Sequence, residues 1–493
     1  MTRERRRYWL WAGTALVTGL LLRLWFVAHM ARVSGDTLIY GDIAINLLRH
    51  GIYGFTETGA APGSIEIRPT LIRLPGYPLF LATCFRIFGI GNYRAVMFVQ
   101  VAADLVTCWL ASALAGRLFG RRAALAVLWL AAVCPFTASY VGLPLTEPLT
   151  LTSIALTLYG FARWQDTGLG YNRWLWVVAA ALGYSILLRP EQVLLAVAVL
   201  PAMLWRSLAT RATGSRLSES ALPVLAAALY VILPLVSWTA RNWHTFHTIQ
   251  PLAPRYATDQ GELAPIGFGR WFRTWAIDFA STEEVYWNYN GDRIELTDLP
   301  SRAFDTGSQA GSEDLRNRTA ALLADYNATT IVTPAIDARF ATLAAERIRA
   351  HPTRFRVGLP ITRLLDMILR PRTEMMQTPL EWWRWREHRA QTAFAASYAT
   401  LNFAYIALGM AGFFAWKRRA WRSTPTAGTP PCGYRELAFA MAASLILRAA
   451  LLLTLDNSEA RYTLEFFPVL FVLAGAVFAS TVQSPTENRV ALG

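Results

Sequence analysis

Lysine is almost missing from this chain: of its 47 basic residues only Lys417 is lysine, and the rest are arginine. Cysteine is nearly as scarce. Cys84, Cys108, Cys134 and Cys432 stand far apart, at no metal-ligand spacing and in no disulfide-like framework. Charge is thin as well, at 16% of residues against roughly 25% in soluble domains. No glycine-rich phosphate loop and no repeat of 20–50 residues is present. A soluble nucleotide-sugar enzyme, a disordered protein and a disulfide scaffold are therefore excluded.

What the chain has in quantity is apolar and aromatic surface. Hydrophobic residues make up 54% of the 493, with 19 Trp, 18 Tyr and 25 Phe. Apolar runs of about 16 to 25 residues recur, long enough to cross a bilayer as helices. The expected class is an all-α polytopic membrane protein.

The net charge of +14 is read through its location. Arginine clusters stand at 3–7, at 117–122, at 163–173, at 206–216 and, with Lys417, at 417–422. Cytoplasmic loops carry such an excess. Placing all five clusters inside gives spans near 8–30, 93–115, 122–141, 146–163, 174–189, 191–208, 221–240, 392–415, 435–455 and 464–482. These ten crossings, within a range of about 10 to 12 helices, put both termini inside. The first span reads as an uncleaved anchor, because no small-residue cleavage site follows it. Residues 74–90 are apolar but short and hold two prolines, so they are expected as a re-entrant or shallow outer segment.

Three regions follow: an N-terminal transmembrane module at 1–240, an outer subdomain at 241–391 and C-terminal transmembrane helices at 392–493. Within the first, the outer loop 31–92 precedes the second span. The stretch 241–391 holds 19 Arg and 18 Asp or Glu. Its balance of +1 leaves nearly all the excess elsewhere and removes a nucleic-acid partner. Residues 313–326 and 336–350 have helical periodicity with charged faces, and 354–370 suits a helix lying at the interface. Residues 423–433 read as a Pro/Gly/Thr-rich cytoplasmic linker.

Polar groups beside membrane spans are costly and mark function by default. On this topology they gather outside. Asp36, Tyr40 and Asp42 follow the first span, and Arg73 precedes Leu-Pro-Gly-Tyr77-Pro. Glu147 stands in Leu-Thr-Glu-Pro, and Arg189-Pro-Glu191 and Arg241-Asn242 flank later spans. Asp456, Glu459, Arg461 and Tyr462 lie between the last two. Carboxylates can serve as general bases and arginines can hold phosphate bidentately. Together they suit a reaction between a lipid-linked phosphate and a hydroxyl or amine. Each residue also has a plainer reading: Asp36 as a helix N-cap, the arginines as interfacial anchors, and Glu147 and Glu191 as caps.

Asp36-Thr-Leu-Ile-Tyr40-Gly-Asp42-Ile-Ala44 resembles the Asp-Glu-x-x-Tyr-x-Glu-Ile-Ala pattern of GT-C membrane glycosyltransferases. In particular it is similar to the bacterial branch that holds protein O-mannosyltransferases and the lipid A aminoarabinose transferase. Arg73-Leu-Pro75-Gly-Tyr-Pro78, Gly116-Arg-Leu-Phe-Gly120-Arg121-Arg122, Leu145-Thr146-Glu147, Arg241-Asn242 and Arg461-Tyr462 follow in the family's order. Thr37 departs from it by replacing the second acid, Ile39 stands where some members have arginine, and Arg73-Leu74 replaces Lys-Pro. Residues 250–390 match no pattern of the family.

The resemblance implies a GT-C fold and an inverting transfer of sugar from a polyprenyl-phosphate donor outside a bacterial inner membrane. Asp36 would be the general base and Asp42 its neighbour in the catalytic set. Arg73, Arg241 and Arg461 would hold the donor phosphate. Tyr40, Tyr77, Glu147, Arg189, Glu191 and Tyr462 would line the pocket. The acceptor would be a glycan, a lipid or a protein, with membrane lipids around the chain. No cofactor is required, and a divalent ion between Asp36 and Asp42 is the alternative. Among other functions, a transporter or flippase of lipid-linked sugars would use the arginines without a base. A scaffold built on a degenerate fold would use neither.

Overall fold

The computed structural model describes residues 3–58, 64–210, 217–376, 378–422 and 434–479. Cys432, the linker 423–433, and Arg211 and Arg216 of the fourth arginine cluster lie outside the described residues. The chain divides into two units. The first comprises residues 1–254, 404–447 and 464–493, and the second comprises 255–403 and 448–463.

The first unit is a helical bundle. Arg3–His29 and Tyr93–Phe119 have 27 residues each, about 40 Å of helix at 1.5 Å per residue. That exceeds the ~30 Å hydrocarbon core. Six described helices are long and apolar enough to cross: these two, Pro190–Ala209, Ser220–Phe246, Arg389–Arg419 and Ala460–Phe478. A pair bent by 47°, Arg121–Ala132 with Pro135–Gly142, would be a seventh. Pro135 accounts for the break, since it cannot donate within a helix.

The remaining expected spans fall on the helices Glu147–Asp166, Arg173–Leu188 and Arg435–Leu452. Glu147–Asp166 is mostly buried within the bundle and carries Thr150 and Ser153. Their hydroxyls donate to carbonyls four residues back, Thr146 O at 2.8 Å and Leu149 O at 2.9 Å. Polar groups satisfied in this way dilute a helix's apolarity without costing it its place. Gly76–Phe88 has 13 residues, about 20 Å of helix. That is short of the hydrocarbon core.

The all-α expectation holds, and one small hairpin adds to it. Gly54–Thr58 and Ile65–Pro69 pair antiparallel, with Thr56 opposite Ile67. Ile65-Glu66-Ile67-Arg68 does alternate with the strand period of two, but five residues are too few to stand out. This hairpin is the sheet found among the described residues.

Arg23 and Asp104, each a single charge within an apolar run, form an ion pair inside the bundle. They are 0% and 1% exposed, and Arg23 Nε donates to Asp104 Oδ2 at 2.6 Å. Arg23 Nη1 also donates to the carbonyls of Gly19 at 2.9 Å and Ala132 at 2.8 Å. One guanidinium thus ties three helices.

The second unit is built around aromatic side chains. Phe268, Trp271, Phe272 and Trp275 are buried with Leu322, Tyr326, Phe340 and Leu343. Phe268 and Tyr289 stack with centroids 3.5 Å apart. The charged-face helices are Gln309–Asn327 and Pro334–Ala350. Ser308 and Thr333 cap them by accepting from Gly311 N and Ile336 N. Within the expected interfacial stretch, the helix Leu359–Leu369 leaves Ile361, Leu365 and Leu369 exposed one turn apart. Such an apolar stripe suits a membrane surface. Arg363 points the other way, buried, and donates to the carbonyls of Arg273 and Ala276.

Candidate functional site

The helix Asp36–His50 begins where Gly35, at φ 55°, turns the chain after the first span. It places Tyr40 one turn after Asp36, and Asp42 on a different face of the helix. Gly41 is required there, because a Cβ would lie 1.8 Å from the Tyr93 hydroxyl. That contact sets the helix against the start of Tyr93–Phe119.

Asp36 and Arg73 are 37 residues apart and meet directly. Arg73 Nη2 donates to Asp36 Oδ1 at 3.0 Å, and the two side chains are 22% and 27% exposed. The pair is open enough for a substrate to reach. Tyr53 Oη donates to the Arg73 carbonyl at 3.0 Å, which ties Arg73 to the hairpin's base. The Arg73 guanidinium lies 5.8 Å from the Tyr40 ring centre.

Tyr40 joins this pair to a second group. Burial pushes its hydroxyl up to about 12; Arg73 pulls it back, and Asp36 and Glu147 push it further. It therefore stays protonated at neutral pH and can act as a donor. Its ring packs edge-on to Tyr77 at 5.1 Å. Tyr77 Oη donates to Gln100 Oε1 at 2.7 Å, and Gln100 Nε2 donates to the Leu143 carbonyl at 2.7 Å. Gln100 is fully buried. The sequence expectations do not include it, although an amide in the middle of an apolar span, four residues before Asp104, is a usable signal.

The second group centres on Arg189, which faces three carboxylates. They are Glu191 at 2.8 Å, Glu147 at 3.3 Å and Glu465 at 3.4 Å. Glu147 is 4% exposed at the head of its helix. Glu465 also accepts from Gln192 Nε2 and was not among the expected residues.

Asp42 and Arg241 have other occupations. Thr56 donates to both Asp42 oxygens, from N and Oγ1, each at 2.7 Å. Asn46 Nδ2 adds a bond to Asp42 Oδ1 at 3.3 Å. Asp42 is thus the anchor of the hairpin on the helix. Arg241 donates to the Thr70 carbonyl at 2.7 Å and the Tyr53 carbonyl at 2.8 Å. The rings of Tyr53, Trp238 and Phe246 lie 5.1–5.3 Å from its guanidinium. It clasps the two ends of the hairpin segment. Arg461 and Tyr462 belong to the second unit, where Glu459 pairs with Arg461 and accepts from Tyr462 Oη at 2.7 Å. Among the described residues no group of three His, Cys, Asp or Glu is placed to hold a metal ion.

Residues 69–238 match the family model described as dolichyl-phosphate-mannose-protein mannosyltransferase, which is a GT-C family. That segment matches as a GT-C module. It contains Arg73, Tyr77, Glu147, Arg189 and Glu191, while Asp36, Tyr40, Asp42 and Arg241 flank it.

Among solved structures, the module and the rest of the chain are similar to the oligosaccharyltransferase of Archaeoglobus fulgidus tethered to an acceptor peptide. Identity is 15%, coverage is 98% of this chain and 53% of that one, and the TM-score is 0.47. A structure of the same organism's oligosaccharyltransferase AglB, with an inhibitory peptide and a dolichol-phosphate, matches at 12% identity. There the coverage is 94% and 50% and the TM-score 0.46. ArnT from Cupriavidus metallidurans bound to undecaprenyl phosphate matches at 15% identity, over 95% of this chain and 77% of that one, with a TM-score of 0.33. The chain spans about half the length of the archaeal structures it matches. No curated protein matches it significantly.

Proposed function

We propose that the GT-C module is an inverting glycosyltransferase. It moves a sugar from a polyprenyl-phosphate donor to an acceptor outside a bacterial plasma membrane. The observation that carries this reading is the Asp36–Arg73 pair, a carboxylate and a guanidinium 3.0 Å apart, both partly exposed and beside the half-buried Tyr40. A base and a phosphate ligand are the two groups the transfer needs, and Asp36 and Arg73 would supply them.

The chemistry follows from the charges. The donor's phosphate competes with Asp36 for Arg73, so donor binding draws the guanidinium away and frees the carboxylate. An acceptor O–H or N–H then attacks the anomeric carbon while Asp36 takes its proton. The bond from the anomeric carbon to the phosphate oxygen breaks, and the lipid phosphate leaves with its new charge against Arg73. Stabilising charge at the leaving group is commonly the largest catalytic contribution. Glu147 and Arg189 line the sugar side of the pocket. Asp42 and Arg241 position the hairpin behind Arg73 and do not touch substrate.

Incubating the purified full chain with a panel of polyprenyl-phosphate sugars tests the reading. Release of lipid phosphate with one of them, dependent on an added hydroxyl or amine acceptor, supports it. Passage of lipid-linked sugar across a vesicle membrane without phosphate release would instead mark a flippase.

A further inference from the structure

At the other end of the bundle the first unit has a second concavity. The helix Tyr93–Phe119 measures the separation. Tyr93 packs against Gly41 beside the candidate site, and Leu118 lines this groove, about 38 Å further along the helix axis. The groove runs between the helices Arg389–Arg422 and Arg435–Leu452, floored by Leu470 and Leu473, and encloses about 560 Å³. Its walls are apolar, with Met410 and Phe414 on one side and Met441 and Leu445 on the other.

The packing explains why a groove forms here. A Cβ on Gly412 would lie 1.8 Å from the Leu473 carbonyl oxygen, and one on Gly409 would lie 2.6 Å from Leu470 Cδ2. These two glycines let their helix press directly on Phe467–Gly475. The side facing Arg435–Leu452 has no such close approach and remains open.

One end of the groove is cationic. Lys417 and Arg435 line it together with Trp416 and Tyr434. Tyr434 Oη donates to Asp166 Oδ1 at 2.7 Å, which fixes that corner of the mouth. Neither Lys417 nor Arg435 has a carboxylate partner among the described residues. Lys417, the chain's one lysine, presents a compact ammonium suited to a phosphate as a point charge. Indole and phenol rings at that level match the depth of lipid headgroups. It is also the end that the arginine clusters assign to the cytoplasmic leaflet, where anionic lipids concentrate.

We propose that this groove is a binding site for an anionic phospholipid, with an acyl chain between the two helices and the phosphate at Lys417 and Arg435. A sugar donor whose phosphate sits at Arg73 cannot have its headgroup here as well, so the inference stands apart from the transferase reading.

The test compares retention of dioleoyl phosphatidylglycerol and dioleoyl phosphatidylcholine by the purified full chain, using native mass spectrometry. The acyl chains are identical, so the difference reports the headgroup. The wild type is expected to retain phosphatidylglycerol preferentially. Lys417→Ala with Arg435→Ala should weaken that retention by roughly 30-fold, at about 1 kcal/mol per cation near the surface. Ala442→Phe, which fills the groove and leaves both cations in place, should lessen retention of both lipids. Equal retention of the two lipids by the wild type would overturn the proposal. So would phosphatidylglycerol retention unchanged in the double variant or in Ala442→Phe.

Discussion

The Arg23–Asp104 pair offers a stability prediction whose size follows from burial. Both side chains are essentially inaccessible, and the guanidinium also holds backbone carbonyls of two helices. Asp104→Leu would leave the Arg23 charge buried without its counter-ion. Removing one partner of a buried pair costs about 3–5 kcal/mol, whereas an exposed pair contributes at most ~1 kcal/mol. Replacing both residues, Arg23→Leu with Asp104→Leu, removes the stranded charge and should recover most of the loss. The interaction energy from the double-mutant cycle should then be at least ~2 kcal/mol. Unfolding of the purified full chain in one detergent, followed by tryptophan fluorescence across a denaturant series, measures all four corners. A single-variant loss under ~1 kcal/mol, or a double variant as unstable as the sum of the singles, would refute the reasoning.

Three further outcomes are expected. Gly76→Ala puts a Cβ 2.5 Å from the Leu187 carbonyl group and should cost about 1–3 kcal/mol by overpacking; an unchanged melting temperature would contradict that close approach. Arg241→Ala strips the charge-assisted bonds from Thr70 and Tyr53 and should cost roughly 3 kcal/mol in the same unfolding assay, with an unshifted curve counting against the clasp. Burial pushes the Asp366 carboxyl up to about 6, with Arg370 pulling it back. As pH rises from about 4 to about 6 the unfolded chain loses this proton first. Stability should therefore fall across that window and level off above it. Asp366→Asn should flatten the slope, and a slope that survives the substitution would reassign it.

Much of the site was legible because its chemistry is sparse. In a chain this poor in charge, each charged residue beside a span could be taken individually, and Asp36, Arg73, Glu147, Arg189 and Glu191 were all among them. What the sequence does not carry is partner choice. Arg73 and Arg241 look alike in it, each an arginine near an apolar run, but one faces Asp36 and the other closes on two carbonyls of its own hairpin. Asp42 reads as half of a carboxylate pair, yet both its oxygens serve Thr56. These differences arise from a hairpin of two five-residue strands, too short to register in the pattern. Arg23, Gln100 and Asp104 were hidden for the opposite reason. Each is one polar residue in a long apolar helix, so averaging over the run concealed the groups that hold the bundle together.

The most direct test is lipid-phosphate release by Asp36→Asn beside the wild type, with the same polyprenyl-phosphate sugar and acceptor. The substitution keeps the shape of the side chain and a hydrogen-bond acceptor for Arg73, and removes only the charge and basicity. The predicted result is a folded membrane protein that binds the donor and does not turn it over. Turnover at the wild-type rate would show that Asp36 is not the base, and the central assignment would fall.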